Sequence, residues 1–211
     1  MRKINIDFEK PQKGIIPMAI KVYIDQGHNP SGFNTGAEGN GFFEQDITYE
    51  VGRLLYDYLL ADPNFEPRLS RPTEQTILGT SNSTSLTERV RQANEWGADV
   101  LISLHANASV NENASGTEAL IYSESSTEAF NIATDILEQM NLVTGLRNRG
   151  IVERPGLYIL RRSNMPAVLV EMGFISNSYD AELMAYSPNL FALGVYRGLL
   201  EYYGLAVRES N

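Results

Sequence analysis

Two short segments of the chain are apolar, one of them interrupted only by Ser103, and this constrains the fold more than any other feature of the sequence. Residues 100–104 and 167–170 show no polar alternation, and residues 21–25 form a third run rich in β-forming side chains. Strands of this kind are buried on both faces, as in parallel sheets covered by helices. Between these runs, apolar residues recur at helical spacing, as over residues 44–59. The alternation predicts a single three-layer α/β/α domain with a mostly parallel, mixed central sheet.

Weaker patterns lie between these elements. Residues 157–160 predict a short strand, and residues 147–155 predict a basic loop. Ser85 and Glu88 have the spacing of a capping box, which predicts that a helix begins at that point.

Charge and composition exclude several classes of function. The 211 residues carry a net charge of -9 and no cysteine. An acidic chain without a basic run is repelled by nucleic acid and by anionic membrane surfaces, so neither is an expected partner. The absence of cysteine excludes disulfides and thiolate metal ligands, so any metal must bind to histidine and carboxylate side chains.

The ends of the chain set the expected domain boundaries. Residues 1–20 lack the pattern of a signal peptide and predict an N-terminal extension or arm. We expect one compact domain over residues 21–204 and a C-terminal tail over residues 205–211. No run approaches the roughly 20 apolar residues that cross a bilayer, and a monomer is the favoured state.

Both histidines of the chain lie at the ends of predicted strands. His28 closes Ile-Asp-Gln-Gly-His, and His105 closes Ile-Ser-Leu-His. Strand ends in open α/β sheets carry ligands and chemistry, and imidazole is a common metal ligand. One such histidine is more often a hydrogen-bonded core residue, but the repeated context favours a metal site.

Two glutamates can join the histidines at this rim. Glu171 follows the apolar run 167–170, and Glu44 begins a helix after a loop rich in glycine and asparagine. Two imidazoles and one carboxylate leave a fourth position of zinc open, as in catalytic sites. A second carboxylate can accept a proton from water and pass it to a leaving amine. Spacing does not decide which glutamate is the ligand, and Glu44 could be only a helix N-terminal residue favoured by the dipole.

Six segments form an ordered set with a recognisable family pattern. They are Ile-Asp-Gln-Gly-His at 24–28, Gly36-Ala37, Glu44, Ser-Leu-His-Ala-Asn-Ala at 103–108, Gly116-Thr117-Glu118 and Val-Glu-Met-Gly-Phe-Ile-Ser-Asn at 170–177. Over roughly residues 21–204 the chain resembles the zinc-dependent N-acetylmuramoyl-L-alanine amidases of the Amidase_3 type. The fold implied is a phosphorylase/hydrolase-like α/β/α domain.

The resemblance also implies roles for these residues. His28, Glu44 and His105 are the implied zinc ligands, and Glu171 is the implied catalytic carboxylate. The implied reaction cleaves the amide between the lactyl group of N-acetylmuramic acid and the L-alanine of the peptidoglycan stem peptide.

Two further side chains are candidates for holding the substrate. Asn107 lies two residues beyond His105, and the guanidinium of Arg149 suits the carboxylates of a stem peptide. A loop-stabilising role for Asn107 and a solvated charge for Arg149 are equally good interpretations. The sequence also departs from the usual family pattern at Asn29, Gln45 and Glu74, which bears on the loops and on substrate preference.

Other functions stay open. The chain could be a catalytically weak or partner-activated peptidoglycan-binding module, although retention of costly buried polar groups argues against lost activity. It could instead be a zinc peptidase that acts on other peptides, although it lacks His-Glu-x-x-His. Because peptidoglycan lies outside the membrane, we expect action at the bacterial cell wall by a secreted and trimmed autolysin or a released lysin.

Overall fold

The computed structural model describes residues 18–206, which form two sheets and six helices. The main-sheet strands are β1 (Ile20–Gln26), β4 (Phe65–Leu69), β5 (Val100–Asn107), β6 (Thr117–Ile121), β7 (Asn148–Glu153) and β8 (Ala167–Phe174), and the two-stranded hairpin is β2 (Glu38–Gly39) with β3 (Phe42–Phe43). The helices are α1 (Glu44–Ala61), α2 (Asn82–Trp96), α3 (Thr127–Thr144), α4 (Tyr158–Arg162), α5 (Ser178–Tyr186) and α6 (Pro188–Tyr202).

The main sheet has the strand order β4-β1-β5-β8-β6-β7. Strands β4, β1, β5 and β8 run parallel, β6 is antiparallel to β8, and β7 is parallel to β6. The prediction of a mostly parallel, mixed sheet is confirmed. The strands that contain the long apolar runs, β5 and β8, lie side by side at its centre.

Helices cover the two faces of the sheet unequally. The larger core packs α1, α3 and α6 against one face, and a smaller core packs α2 and α4 against the other. Close approach of α3 and α6 depends on glycine, because a Cβ at Gly198 would lie 2.4 Å from the Cα of Ile136. These layers fix the strand ends that carry the candidate site.

Several local predictions are wrong. Residues 157–160 belong mainly to helix α4, because a short apolar run does not distinguish a helix turn from a strand. Residues 147–155 contain strand β7 at the sheet edge. Helix α2 begins at Asn82, where Ser81 and Thr84 form the capping box, rather than at the Ser85 pattern.

The predicted strand ends also need correction. His105 lies inside β5 and Glu171 lies inside β8, because both strands continue past the apolar runs as far as Asn107 and Phe174. Only His28 lies beyond its strand. Because the two strands continue in this way, His105 and Glu171 lie on a face of the sheet close to its rim.

Most of the predicted terminal segments, residues 1–20 and 205–211, lie outside the described residues. Among the helices of residues 18–206, none has the length and apolar character needed to span a bilayer.

Candidate functional site

His28 leaves strand β1 in an unusual backbone conformation. Its φ of 70° is in the left-handed region, which typically costs a non-glycine residue roughly 1–3 kcal/mol. The preceding Gly27 packs tightly on the second histidine, since a Cβ at Gly27 would lie 2.6 Å from His105 Cε1. The chain therefore turns at this point with one histidine against the backbone that carries the other.

Glu44 is the first residue of α1, and its side chain points into the protein. The Oε2 atom accepts a hydrogen bond from the Ala37 amide at 2.8 Å, and Oε1 accepts one from the Ala106 amide at 3.0 Å. The residue is only 4% exposed. Gly36 makes this approach possible, because a Cβ at that position would lie 2.6 Å from the Glu44 Cβ.

The two imidazoles meet at the Glu44 carboxylate. His28 Nε2 lies 3.2 Å from Glu44 Oε1, and His105 Nδ1 lies 3.0 Å from the same oxygen. The rings contact edge to face with centroids 4.8 Å apart. Ligand atoms from these three residues all lie within 4.8 Å of one another, so the group could hold a metal ion.

The electrostatics of this group favour an ionised carboxylate. Burial by itself raises the pKa of Glu44, but hydrogen bonds from His105 and His28 outweigh it and lower the pKa below its usual range. Burial lowers the pKa of His105, whereas the hydrogen bond and charge of Glu44 raise it overall. An anionic oxygen between two ring nitrogens has the charge that a divalent cation requires.

Glu171 lies beside this group on the next strand. It pairs directly with His105 across β5 and β8. Its Oε2 atom is buried and has no hydrogen-bond partner among the described residues. Burial is the largest influence and raises the pKa of Glu171 to about 7, with repulsion from Glu44 and Glu118 adding to it and attraction to His105 opposing it. A carboxyl that titrates near neutrality is suited to both accepting and donating a proton.

Glu118 adds a third carboxylate, so that His105, Glu171 and Glu118 form a row of side chains across the sheet. Glu118 on β6 pairs directly with Glu171 on β8, so their side chains lie on the same face. Arg149 on the edge strand β7 lies 3.7 Å from Glu118, measured from Nε to Oε1. Its guanidinium also lies 5.0 Å from the centre of the Phe174 ring. The row ends in a partly exposed positive charge.

The remaining predicted residues make local contacts. The Oδ1 atom of Asn107 accepts a hydrogen bond from the Ala108 amide, and the side chain is partly exposed. Asn29 is fully buried and bonds the main chain of Phe33 and Leu78, which explains how asparagine is accommodated in this loop. The substrate-binding role of Asn107 stays a prediction.

Sequence reasoning singled out the four central side chains but gave no role to two residues around them, Glu118 and Arg89. The structure brings His28, Glu44 and His105 together and places Glu171 beside them, while the catalytic and ligand roles stay predictions. Glu118 was part of a quoted segment but received no role, although its place in the short β-rich segment Thr117–Ile121 was a usable signal. Nothing in the sequence distinguished the buried Arg89 from the exposed Arg91 of the same helix.

Comparison with known families assigns the class of protein. The model of the Amidase_3 family, described as N-acetylmuramoyl-L-alanine amidase, matches residues 22–201. The chain therefore belongs to this family of amidases, and the family prediction made from its sequence segments is confirmed.

Similar proteins agree with this assignment. The N-acetylmuramoyl-L-alanine amidase CwlM of Bacillus licheniformis is 34% identical over 190 residues, which cover 89% of this chain and 70% of that protein. The crystal structure of an N-acetylmuramoyl-L-alanine amidase from Clostridium difficile 630 has a TM-score of 0.80 and 29% identity, covering 89% of this chain and 98% of that one. The catalytic domain of CwlV from Bacillus (Paenibacillus) polymyxa has a TM-score of 0.77 and 28% identity, covering 89% and 99%.

Proposed function

We propose that this chain is a zinc-dependent amidase of bacterial peptidoglycan. It hydrolyses the amide between the lactyl group of N-acetylmuramic acid and the L-alanine of the stem peptide. One observation carries the proposal: in a chain of the amidase family, a buried Glu44 carboxylate meets two imidazoles directly beside Glu171.

The side chains fit a zinc ion. His28, Glu44 and His105 supply two nitrogens and one oxygen, a donor set that leaves a position open for catalysis. The Nδ1 atom of His28 is buried and lacks a hydrogen-bond partner among the described residues, so this ring has unused coordinating or hydrogen-bonding capacity. The histidines are 18–19% exposed at their side chains, which leaves one side of the group open to substrate.

The protein's own groups then perform the proton transfers. The chemistry that zinc supplies when bound is Lewis acidity toward water and toward an amide carbonyl. Glu171 accepts a proton from the attacking water and donates it to the alanine nitrogen as the carbon–nitrogen bond breaks. The products are a lactyl carboxylate and a stem peptide with a free amine, and no covalent enzyme intermediate is required.

Arg149 and Asn107 are the proposed substrate contacts. Arg149 is one-third exposed at the open end of the row, with Glu118 as its ionic partner. A guanidinium in this position can bind a stem-peptide carboxylate through two parallel hydrogen bonds. Asn107 lies at the end of β5 beyond His105, within the same rim.

The site of action follows from the substrate. Peptidoglycan lies outside the cytoplasmic membrane, so we propose extracytoplasmic action at the cell wall by a secreted and trimmed enzyme or a released lysin. Residues 21–204 are the proposed catalytic domain.

Product analysis tests the proposal. Purified chain is incubated with muropeptides, then with chelator, then with zinc restored, and products are identified by mass spectrometry. We expect free stem peptide and peptide-free muramic acid, lost on chelation and recovered with zinc. The Glu171→Gln variant is the matched control for a contaminating hydrolase.

Other outcomes would contradict specific parts. Zinc binding without cleavage would favour a peptidoglycan-binding or partner-activated module. Cleavage at other peptide bonds would favour a peptidase. Cleavage that resists chelation would remove the metal from the mechanism.

A further inference from the structure

Arg89 is a fully buried arginine that the proposed chemistry does not use. It belongs to α2, on the face of the sheet opposite the large helical layer, and is 1% exposed. Its charge is balanced by Asp25 of β1, whose Oδ1 lies 2.5 Å from Nη1. A buried ion pair needs further hydrogen bonds to offset the cost of removing both charges from water. The other partners of this guanidinium therefore indicate which part of the chain Arg89 holds in place.

The guanidinium holds the main chain on both sides of the first histidine. Its Nη1 donates to the Gln26 carbonyl at 2.6 Å, and its Nη2 donates to the His28 carbonyl at 2.5 Å. The Nη2 group also lies 3.3 Å from Asn29 Oδ1. One planar group thus spans the turn in which His28 adopts its left-handed conformation.

The same network reaches the strand of the second histidine. Asp25 Oδ2 accepts a hydrogen bond from Ser103 Oγ at 2.8 Å. Ser103 pairs with Asp25 across β1 and β5 and lies two residues before His105, on the same face of the strand. The turn held by Arg89 includes Gly27, whose backbone packs against the His105 ring.

We propose that Arg89 is a positioning residue for the metal centre. It fixes the backbone that presents His28, and through Asp25 and Ser103 it fixes the register of that backbone against His105. The inference rests on the proposed function, because it assumes that these histidines bind metal. Its effect is on the affinity and geometry of the metal site, beyond any effect on folding.

Lysine is the informative replacement. It keeps the charge that balances Asp25, but its single ammonium group cannot reproduce a planar fork that bonds carbonyls on both sides of His28. Groups that orient metal ligands from behind typically change metal affinity by about 10- to 100-fold when mutated.

Cobalt(II) is a direct spectroscopic probe of the site. Metal-free parent and Arg89→Lys are titrated with Co²⁺ at a temperature where both are folded, and zinc affinity is measured by chelator competition. We expect Arg89→Lys to bind about 10- to 100-fold more weakly with an altered d–d spectrum. Ser103→Ala, which removes only the link to β5, is expected to give a smaller loss.

Two controls separate positioning from stability. Arg91→Lys makes the same substitution two residues along α2, at an exposed side chain, and should leave Co²⁺ binding unchanged. Ile136→Ala lowers stability from the core between α3 and α6, away from the histidines, and should lower the melting temperature with metal affinity retained.

Each result decides the inference. Parental affinity and spectrum in folded Arg89→Lys would overturn it, as would an equal loss of affinity in Ile136→Ala. If Arg89→Lys does not fold, Ser103→Ala decides: weaker binding than Ile136→Ala supports the inference, and parental binding overturns it. Failure of the parent itself to bind metal would instead refute the proposed function.

Discussion

Each half of the candidate site contains a glutamate, and the surroundings of the two glutamates shift their pKa values in opposite directions. On the β1–β5 side, both oxygens of Glu44 accept main-chain hydrogen bonds, and two imidazoles lower its pKa. On the β8–β6 side, Glu171 has a buried oxygen without a partner among the described residues and faces Glu118, and its pKa is raised to about 7.

This difference favours one division of the roles that residue type alone leaves open. Environments that push the pKa values of two nearby carboxyls apart separate an ionised group from a group that exchanges protons. The lowered pKa of Glu44 keeps its carboxylate ionised, whereas the raised pKa of Glu171 lets it gain or lose a proton near neutral pH. The structure therefore supports Glu44 as the proposed ligand and Glu171 as the proposed base.

The largest expected effect comes from breaking the ligand side. His105→Ala removes one of the three proposed donors and should abolish both zinc retention and hydrolysis. Metal Lewis acidity contributes several kcal/mol to such reactions, so we expect a rate loss of about 10³-fold or more. Metal content by mass spectrometry, measured with muropeptide turnover, checks this, and full activity without metal would contradict it.

Replacing the proposed base should lower turnover without loss of the bound metal. Glu171→Gln keeps the shape of the side chain but cannot accept the proton, so we expect turnover to fall by about 10²- to 10⁴-fold. Zinc content and circular dichroism should match the parent. Turnover at the parental rate would show that another group is the base.

The same substitution should stabilise the metal-free protein at alkaline pH. Because the folded chain raises the pKa of Glu171 from its ordinary 4.5 to about 7, ionisation opposes folding between these values, and the penalty is complete above pH 7. We expect Glu171→Gln to be more stable by about 1–3 kcal/mol at pH 8.

This stability difference has a defined pH window. It should shrink as the pH falls through 7 and disappear below about pH 4, where the carboxyl is protonated in both folded and unfolded chains. Denaturant unfolding of chelated parent and variant at pH 8 and pH 4 measures it. A constant difference across this range would mean that Glu171 is not the titrating group.

The smallest effect is expected at the open end of the row. Arg149→Lys keeps the charge near Glu118 but loses paired hydrogen bonds to a carboxylate, so we expect KM to rise about 3- to 10-fold with kcat nearly unchanged. Steady-state kinetics on muropeptides whose stem carboxylates are free or amidated test this. An equal KM increase for both substrates would argue against carboxylate recognition.

Much of the architecture was predictable because burial leaves a direct pattern. The apolar runs of β5 and β8 identified the central strands. Residues 157–160 were misassigned because four apolar residues satisfy the periodicity of a strand and of a helix. Helix α5 was not predicted; it has little amphipathic pattern.

The sequence by itself determined the chemical inventory: two histidines, no cysteine, one glutamate after an apolar run and another at a helix start, in an order that resembles one family. Tertiary structure decided the rest, because interactions across the sheet depend on strand order and register. Register places Glu171 between His105 and Glu118, and packing of α2 turns Arg89 toward the backbone of His28. Neither relation is local in the chain, so neither could be derived from spacing.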